Sequence, residues 1–361
     1  MKAAVLYETK KPLVVEEIDV EDPKEGEVMV RTAAAGVCHS DLHFIEGLWP
    51  FPLPAVLGHE ASGIVEKVGE GITHVQPGDH AVLSFIPSCG TCYYCTIGRP
   101  VLCSEGRGRG GVMKDGTTRL KKGGQDLRQF GGVAAFAEYM VVSERSVIKI
   151  REDAPLDKVS VVGCAVMTGV GAVTNTVRVE PGSSVAVIGA GGVGLNVIQG
   201  AALAGAAKII AVDLLDNKLK MAEQFGATHT VNGTKEDPLG RIREITGGGA
   251  DYAFEVIGNA KAIAQAFDSV RPGGTAVAVG MAPFASEVSI STTALLGEKV
   301  LRGSAYGSTR FPLDIPRIID LYMAGRLKLD ELITREYPLE DINDAFAAMK
   351  NGEVARSIIK F

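Results

Sequence analysis

The sequence is short of the features that mark several classes of protein. No basic block interrupts its net charge of −6, so nucleic acid is not an expected partner. The opening MKAAVLYETK lacks the apolar core and cleavage site of a secretory signal, and a cytoplasmic location is expected. Cysteine is sparse, with six in 361 residues, and a cytosolic chain of this size rarely forms or needs disulfides. Only Pro181 to Ala207 imitates a membrane span, being free of charge and longer than the ~20 residues a spanning helix needs. It holds seven glycines with Asn196 and Gln199, so it reads instead as strand, turn and helix, and no membrane is expected.

What the chain has in excess is glycine, 44 residues gathered at turns and in one motif rather than in a repeat. Its 46% hydrophobic and 22% charged residues are ordinary for a soluble globular protein, and its length suits two domains. Up to about residue 160 the signals are short β runs such as EVMVRTAAAG, SGIVEKVG, HAVLSF and AEYMVVS, separated by turns. Residues 104–132 are polar, glycine-rich and basic in places, which predicts a long surface loop with one hairpin. Near residue 165 strands and helices begin to alternate, from Ser184–Ile188 through Thr275–Val279, the pattern of parallel βαβ units. The last 50 residues return to mixed elements, ending in a strand over Arg356–Lys360.

After the first strand of the alternating region stands Gly189-Ala-Gly191-Gly192-Val193-Gly194, a full G-x-G-x-x-G. Such glycines permit a tight turn and let backbone approach a pyrophosphate at a helix N-terminus. The string alone is weak. A strand before it, a helix after it and Asp213 at the end of the next strand strengthen it, for Asp213 sits where an acid binds the ribose hydroxyls. A carboxylate there repels a 2′-phosphate and favours NAD over NADP. Lys218 lies five residues on, able to donate to the same ribose.

Cys89, Cys92, Cys95 and Cys103 form Cys-x2-Cys-x2-Cys-x7-Cys, four thiolates suited to a closed tetrahedral structural zinc. Two disulfides or a redox switch are the competing readings. Cys38, His59 and Cys164 offer a Cys2His set with a fourth position open, as catalytic zinc requires. Their spacing is not diagnostic, and buried structural cysteines fit it equally.

GVCHSDLH, VLGHEASGIV, PGDHAVLSF, the four-cysteine stretch, GCAVMTG, GAGGVG, FEVIG and the ending ARSIIKF resemble the medium-chain, zinc-dependent alcohol dehydrogenases over essentially the whole chain. The resemblance implies a mainly β, GroES-like catalytic domain over 1–165, with a structural-zinc lobe at 88–104 and a return over 306–361. It implies an α/β Rossmann coenzyme domain over 166–305. Two zinc ions and NAD are the cofactors it implies, and an alcohol or aldehyde the small-molecule substrate.

By the same resemblance Cys38, His59 and Cys164 hold the catalytic zinc, and Glu60 is a carboxylate able to approach it. Asp41 steadies His59. Ser40 takes the alcohol proton, and His43 passes it to solvent by way of the nicotinamide ribose. His39 and Arg356 contact the pyrophosphate, while Thr168, Val256–Gly258 and Val279–Met281 line the nicotinamide. Trp49 and Phe85 wall the substrate channel. A homodimer is the first expectation and a homotetramer the second, formed around Val300–Ser304.

Each role has a plainer competitor. His43 could be a surface histidine, Thr168 a helix cap, and Trp49 and Phe85 core aromatics. The expected activity is oxidation of primary, and some secondary, apolar or aromatic alcohols by NAD. One alternative is a glutathione-type formaldehyde dehydrogenase, in which Arg107 could bind a carboxylate. Another is a zinc- and NAD-binding redox sensor without turnover.

Overall fold

The computed structural model describes residues 1–106 and 110–361. They divide into two compact units, Met1–Cys164 with Arg310–Phe361, and Ala165–Thr309.

The first unit is mainly β. Its larger sheet runs in the order Val147–Lys149, His80–Leu83, Glu60–Val68, Glu27–Val37, Arg356–Lys360 and Ile333–Pro338, with Tyr139–Ser143 also paired to Glu27–Val37. The long strand Glu27–Val37 is buried along most of its length, as its run of Val, Met and Ala requires of a central strand. The C-terminal strand Arg356–Lys360 pairs antiparallel with it, Ser357 opposite Val37. Leu57, Ala61, Leu83, Ala135 and Phe136 pack in the core between these elements.

The second unit holds a six-stranded parallel sheet, His229–Asn232, Lys208–Asp213, Ser184–Ile188, Ala250–Glu255, Val270–Ala278 and Val300–Gly303. In chain order this is 3-2-1-4-5-6, the doubly wound arrangement. The uncharged stretch resolves into the strand Ser184–Ile188 and the helix Gly192–Leu203. Among the described residues no single helix is long and apolar enough to cross a membrane.

The segment expected as a surface loop is different. Leu120–Lys122 and Gln125–Gln129 do form a hairpin, but Leu120 and Leu127 are buried and Arg119 has no exposed surface. Arg119 donates from Nε and Nη2 to the two oxygens of Glu27 at 2.8 and 2.6 Å, and from Nη2 to Asp115 at 2.8 Å. The basic look of the segment therefore hides an internal ion pair. Its polarity is satisfied inside, with Gln129 donating to the Val141 carbonyl at 2.8 Å.

Removing one partner of a buried bidentate pair strands the other charge away from water. Arg119→Ala should destabilise the protein by about 3 kcal/mol or more, because Glu27 is left unpaired inside. Urea unfolding checks this, and a loss under ~0.5 kcal/mol, the scale of an ordinary surface substitution, would show the pair to be dispensable.

Candidate active site and metal centres

Two neighbouring strands and a turn meet at one end of the larger sheet. Glu27–Val37 ends at Cys38, which precedes the short helix His39–Ile45. His59 directly precedes the strand Glu60–Val68, and Cys164 follows the turn Ser160–Gly163. Ligand atoms of Cys38, His59, Glu60 and Cys164 all lie within 4.8 Å of one another, and all four residues are buried. His59 Nδ1 pairs with Asp41 Oδ1 at 3.1 Å, and the same oxygen accepts from the Gly58 N–H at 3.0 Å. Nδ1 is thereby engaged, leaving Nε2 as the donor atom for a metal. The Cys38 thiol is held well below its usual range by the Cys164 hydrogen bond, so a thiolate is favoured there. Burial pushes Glu60 up to about 8.

Arg356 is buried beside these groups. It donates to the Val37 carbonyl at 2.9 Å and faces Glu60 Oε1 at 3.2 Å. Its guanidinium thus lies between Glu60 and the end of the central strand. His39 is exposed at the first turn of its helix.

Ser40 and His43 lie three apart on that helix and share one face. Cys38 Sγ lies 3.7 Å from Ser40 Oγ, whose hydroxyl can donate to the thiolate. His43 is half-buried, and burial lowers its pKa, which keeps it a neutral base over a wider range.

Aromatic rings surround His59. Phe85 and Phe130 meet it edge-on at 5.2 and 5.6 Å, and Phe44 and Phe51 pack on Phe130 at 4.5 and 5.3 Å. Trp49 is half-buried on the turn that follows the helix. Phe44 and Phe130 were not legible as site residues, since Phe130 is 71 positions from His59 and no local motif marks either. Arg107 lies outside the described residues.

The four cysteines Cys89, Cys92, Cys95 and Cys103 are free thiols whose sulfurs gather within 4.8 Å, with separations of 4.0 Å for Cys89–Cys95 and 3.9 Å for Cys92–Cys103. Tetrahedral Zn–S bonds of about 2.3 Å put sulfurs roughly 3.8 Å apart, so the cluster fits zinc. Backbone N–H groups of Cys89 and Cys92 donate to the sulfurs of Cys103 and Cys89, both at 3.3 Å, as suits thiolates.

In the second unit Gly191 precedes the helix Gly192–Leu203, and Val193 stands in its first turn. A β-carbon on Gly194 would lie 2.0 Å from the Gly189 carbonyl, so glycine is required for the turn to close. Asp213 accepts from the Ala190 N–H at 2.8 Å, which brings its carboxylate beside the glycine turn. Lys218 follows on the helix Asp216–Gln224. Val256 and Val279 continue adjacent strands, and Gly258 packs on the backbone of Met281. Glu255, not singled out from sequence, is buried and accepts from the N–H groups of Ile257 and Gly258 at 2.8 and 2.6 Å, shaping that turn. Thr168 sits inside the helix Ala165–Gly171, so it is no N-cap.

A GroES-like β unit with two zinc-compatible clusters, joined to a doubly wound nucleotide unit, defines a zinc-binding dehydrogenase. Family models agree. Residues 24–152 match the alcohol dehydrogenase GroES-like domain, and residues 192–323 the zinc-binding dehydrogenase domain. The chain is 44% identical to an alcohol dehydrogenase class-3 of Dictyostelium discoideum, over 99% of this chain and 97% of that protein. It is 42% identical to an S-(hydroxymethyl)glutathione dehydrogenase of Paracoccus denitrificans, over 100% and 99%. Among solved structures, benzyl alcohol dehydrogenase from Acinetobacter calcoaceticus superposes with a TM-score of 0.95 at 35% identity, covering 100% of this chain and 99% of that one. The chain belongs to the medium-chain, zinc-dependent alcohol dehydrogenase family. Zinc and a nicotinamide cofactor go with that membership.

Elemental analysis of metal-replete protein should find about two zinc ions per chain on four-coordinate counting. Cys38→Ser should lose one and keep the fold, whereas Cys95→Ser should lose the other and lower the melting temperature. One zinc or none in the parent protein would overturn the two-site assignment.

Proposed function

We propose that this oxidoreductase interconverts primary, and some secondary, alcohols bearing an apolar or aromatic tail with the aldehyde or ketone, using NAD. The observation that carries the substrate class is the aromatic cluster at His59, with Phe85 and Phe130 edge-on to its ring and Phe44 and Phe51 packed on Phe130. Zinc held by Cys38, His59 and Cys164 would supply the Lewis acidity that acidifies a hydroxyl, and the nicotinamide would accept the hydride. Asp41 fixes the tautomer and orientation of His59. Ser40 accepts the substrate proton, and His43, kept neutral by its burial, receives it for delivery to solvent. Gly189, Gly191, Gly192 and Gly194 bring backbone N–H groups to the pyrophosphate, and the carboxylate of Asp213 favours NAD over NADP. Adjacency of Ser40 and His43 supports turnover over the sensor reading. The edge strand Val300–Gly303, with exposed Leu296 and Val300 near it, supports a homodimer.

A second reading has its own support. The names of the curated relatives favour a thiol-adduct formaldehyde dehydrogenase over one acting on simple alcohols. Among the described residues the ring cluster beside His59 favours an apolar tail, since an aromatic ring offers no partner to a carboxylate, whereas Arg107, the residue named for that role, lies outside them.

Kinetics with ethanol, hexanol, benzyl alcohol and S-hydroxymethylglutathione, each with NAD and NADP, separate the readings. Efficiency should rise with tail length by up to about fourfold per methylene, from ~0.8 kcal/mol each, until the pocket is full. Highest efficiency on the adduct would establish the second reading, and equal efficiency with NADP would remove the role given to Asp213.

His43→Gln should slow alcohol oxidation most towards low pH, where hydroxide and buffer bases are scarce, and added buffer base should restore part of the rate. The sign follows from the lowered pKa: the parent histidine stays a neutral acceptor until the pH falls below that value. An unchanged pH–rate profile would make His43 a bystander.

A further inference from the structure

The helix Gly192–Leu203 carries two polar side chains, Asn196 and Gln199, that phosphate binding does not explain. Asn196 is fully buried on the helix Gly192–Leu203. Its Nδ2 donates to the Gly192 carbonyl at 2.7 Å, and its Oδ1 accepts from Gln199 Nε2 at 2.6 Å. A buried amide is costly unless bonded, so these contacts hold Asn196 to the first turn of the helix.

The other side of Asn196 faces Gly169, on the helix Ala165–Gly171. A β-carbon at 169 would lie 2.5 Å from Asn196 Cβ, 2.6 Å from the Val193 carbonyl and 2.8 Å from the Val197 nitrogen. That helix is pinned again at Gly171, where a β-carbon would come within 2.5 Å of the Gly307 carbonyl. Backbone packed on backbone cannot slide freely, so the two helices move together. The residue immediately before Ala165 is Cys164, one of the clustered ligands.

We propose that Asn196 and Gly169 are positioning residues that couple the glycine turn of the dinucleotide site to the metal ligand Cys164. A phosphate seated on Gly191–Gly194 fixes the first turn of Gly192–Leu203. Asn196 and Gly169 carry that position to Ala165–Gly171, and the chain carries it to Cys164. The coupling rests on the dinucleotide reading given above.

The test titrates the zinc enzyme, and the same protein with cobalt in the catalytic site, with NADH. Fluorescence reports affinity, and the cobalt absorption band reports the ligand set. Asn196→Ala should weaken NADH about fivefold to tenfold, the scale of one buried hydrogen bond, and shrink the NADH-induced cobalt change at saturation. Asn196→Ser, whose hydroxyl can reach the Gly192 carbonyl, should recover part of both. Gly169→Ala should act in the same direction; if it does not fold, the two Asn196 variants carry the test. Unchanged affinity in folded Asn196→Ala overturns the proposal, even with a lowered melting temperature. A full cobalt response at saturating NADH overturns it as well. A parent protein that does not bind NADH at all removes the dinucleotide reading together with the coupling, whereas a binding parent with indifferent variants removes the coupling alone.

Discussion

The register between three adjacent strands is the constraint on which the metal site depends. Glu60 stands opposite Gly36, and Ser357 opposite Val37, so the ends of Glu60–Val68 and Arg356–Lys360 flank the end of Glu27–Val37. This brings Cys38, His59, Glu60 and Arg356 to one place although they span most of the chain. A slip of one residue would turn each side chain to the opposite face of the sheet. The groups so gathered are nearly all ionisable, and Asp41 and Glu60 have no exposed surface. Burying such groups costs several kcal/mol each unless charge is shared. Arg356 offsets part of that cost, the Gly58 N–H another part, and a divalent cation coordinated by the thiolates would offset most of the remainder. Stability and chemistry here draw on the same arrangement.

In the second unit the equivalent constraint is the order of the parallel sheet. Strands Lys208–Asp213 and Ala250–Glu255 lie on either side of Ser184–Ile188, so the chain winds in opposite directions from that first strand. Strand ends at such a switch point form the crevice in which nucleotides bind in open α/β sheets. The glycine turn follows the first of these strands, Asp213 ends the second, and the turn shaped by Glu255 ends the third. Polar groups cluster there because the loops at the strand ends need bonds the sheet cannot provide, as the three uses of the Asp213 carboxylate illustrate.

Much of this was legible in the residues, for reasons that differ by region. The parallel sheet was readable because each strand is a short apolar run between helices, and Ser184–Ile188 falls where the pattern places it. The four-cysteine cluster was readable because its ligands are local in sequence. Cys38, His59 and Cys164 were only a possibility until the family resemblance singled them out, since successive ligands 21 and 105 positions apart leave no period to detect. The 104–132 segment misled for an electrostatic reason: Arg119 looks like a surface charge until Glu27, 92 positions away, is placed beside it. Phe44 and Phe130 were missed because an aromatic residue in a core and one in a pocket wall look alike in sequence.

Family membership and substrate choice rest on different residues. Identity of 42–44% over nearly the whole chain, with a TM-score of 0.95 to a solved dehydrogenase, reflects a shared two-unit fold. Discrimination among alcohols depends on a few walls. An apolar pocket separates substrates that differ by a methylene only modestly, but it strongly resists a carboxylate it cannot pair, because an unpaired charge must leave water without compensation. A substrate carrying carboxylates therefore needs cations near the channel, whereas a hydrocarbon or aromatic tail needs only surface to cover. Beside His59, Phe85 and Phe130 meet the imidazole edge-on at 5.2 and 5.6 Å, and Phe44, Phe51 and Phe130 pack on one another at 4.5 to 5.8 Å. Tilted and edge-on contacts of this kind are among the geometries that aromatic pairs prefer.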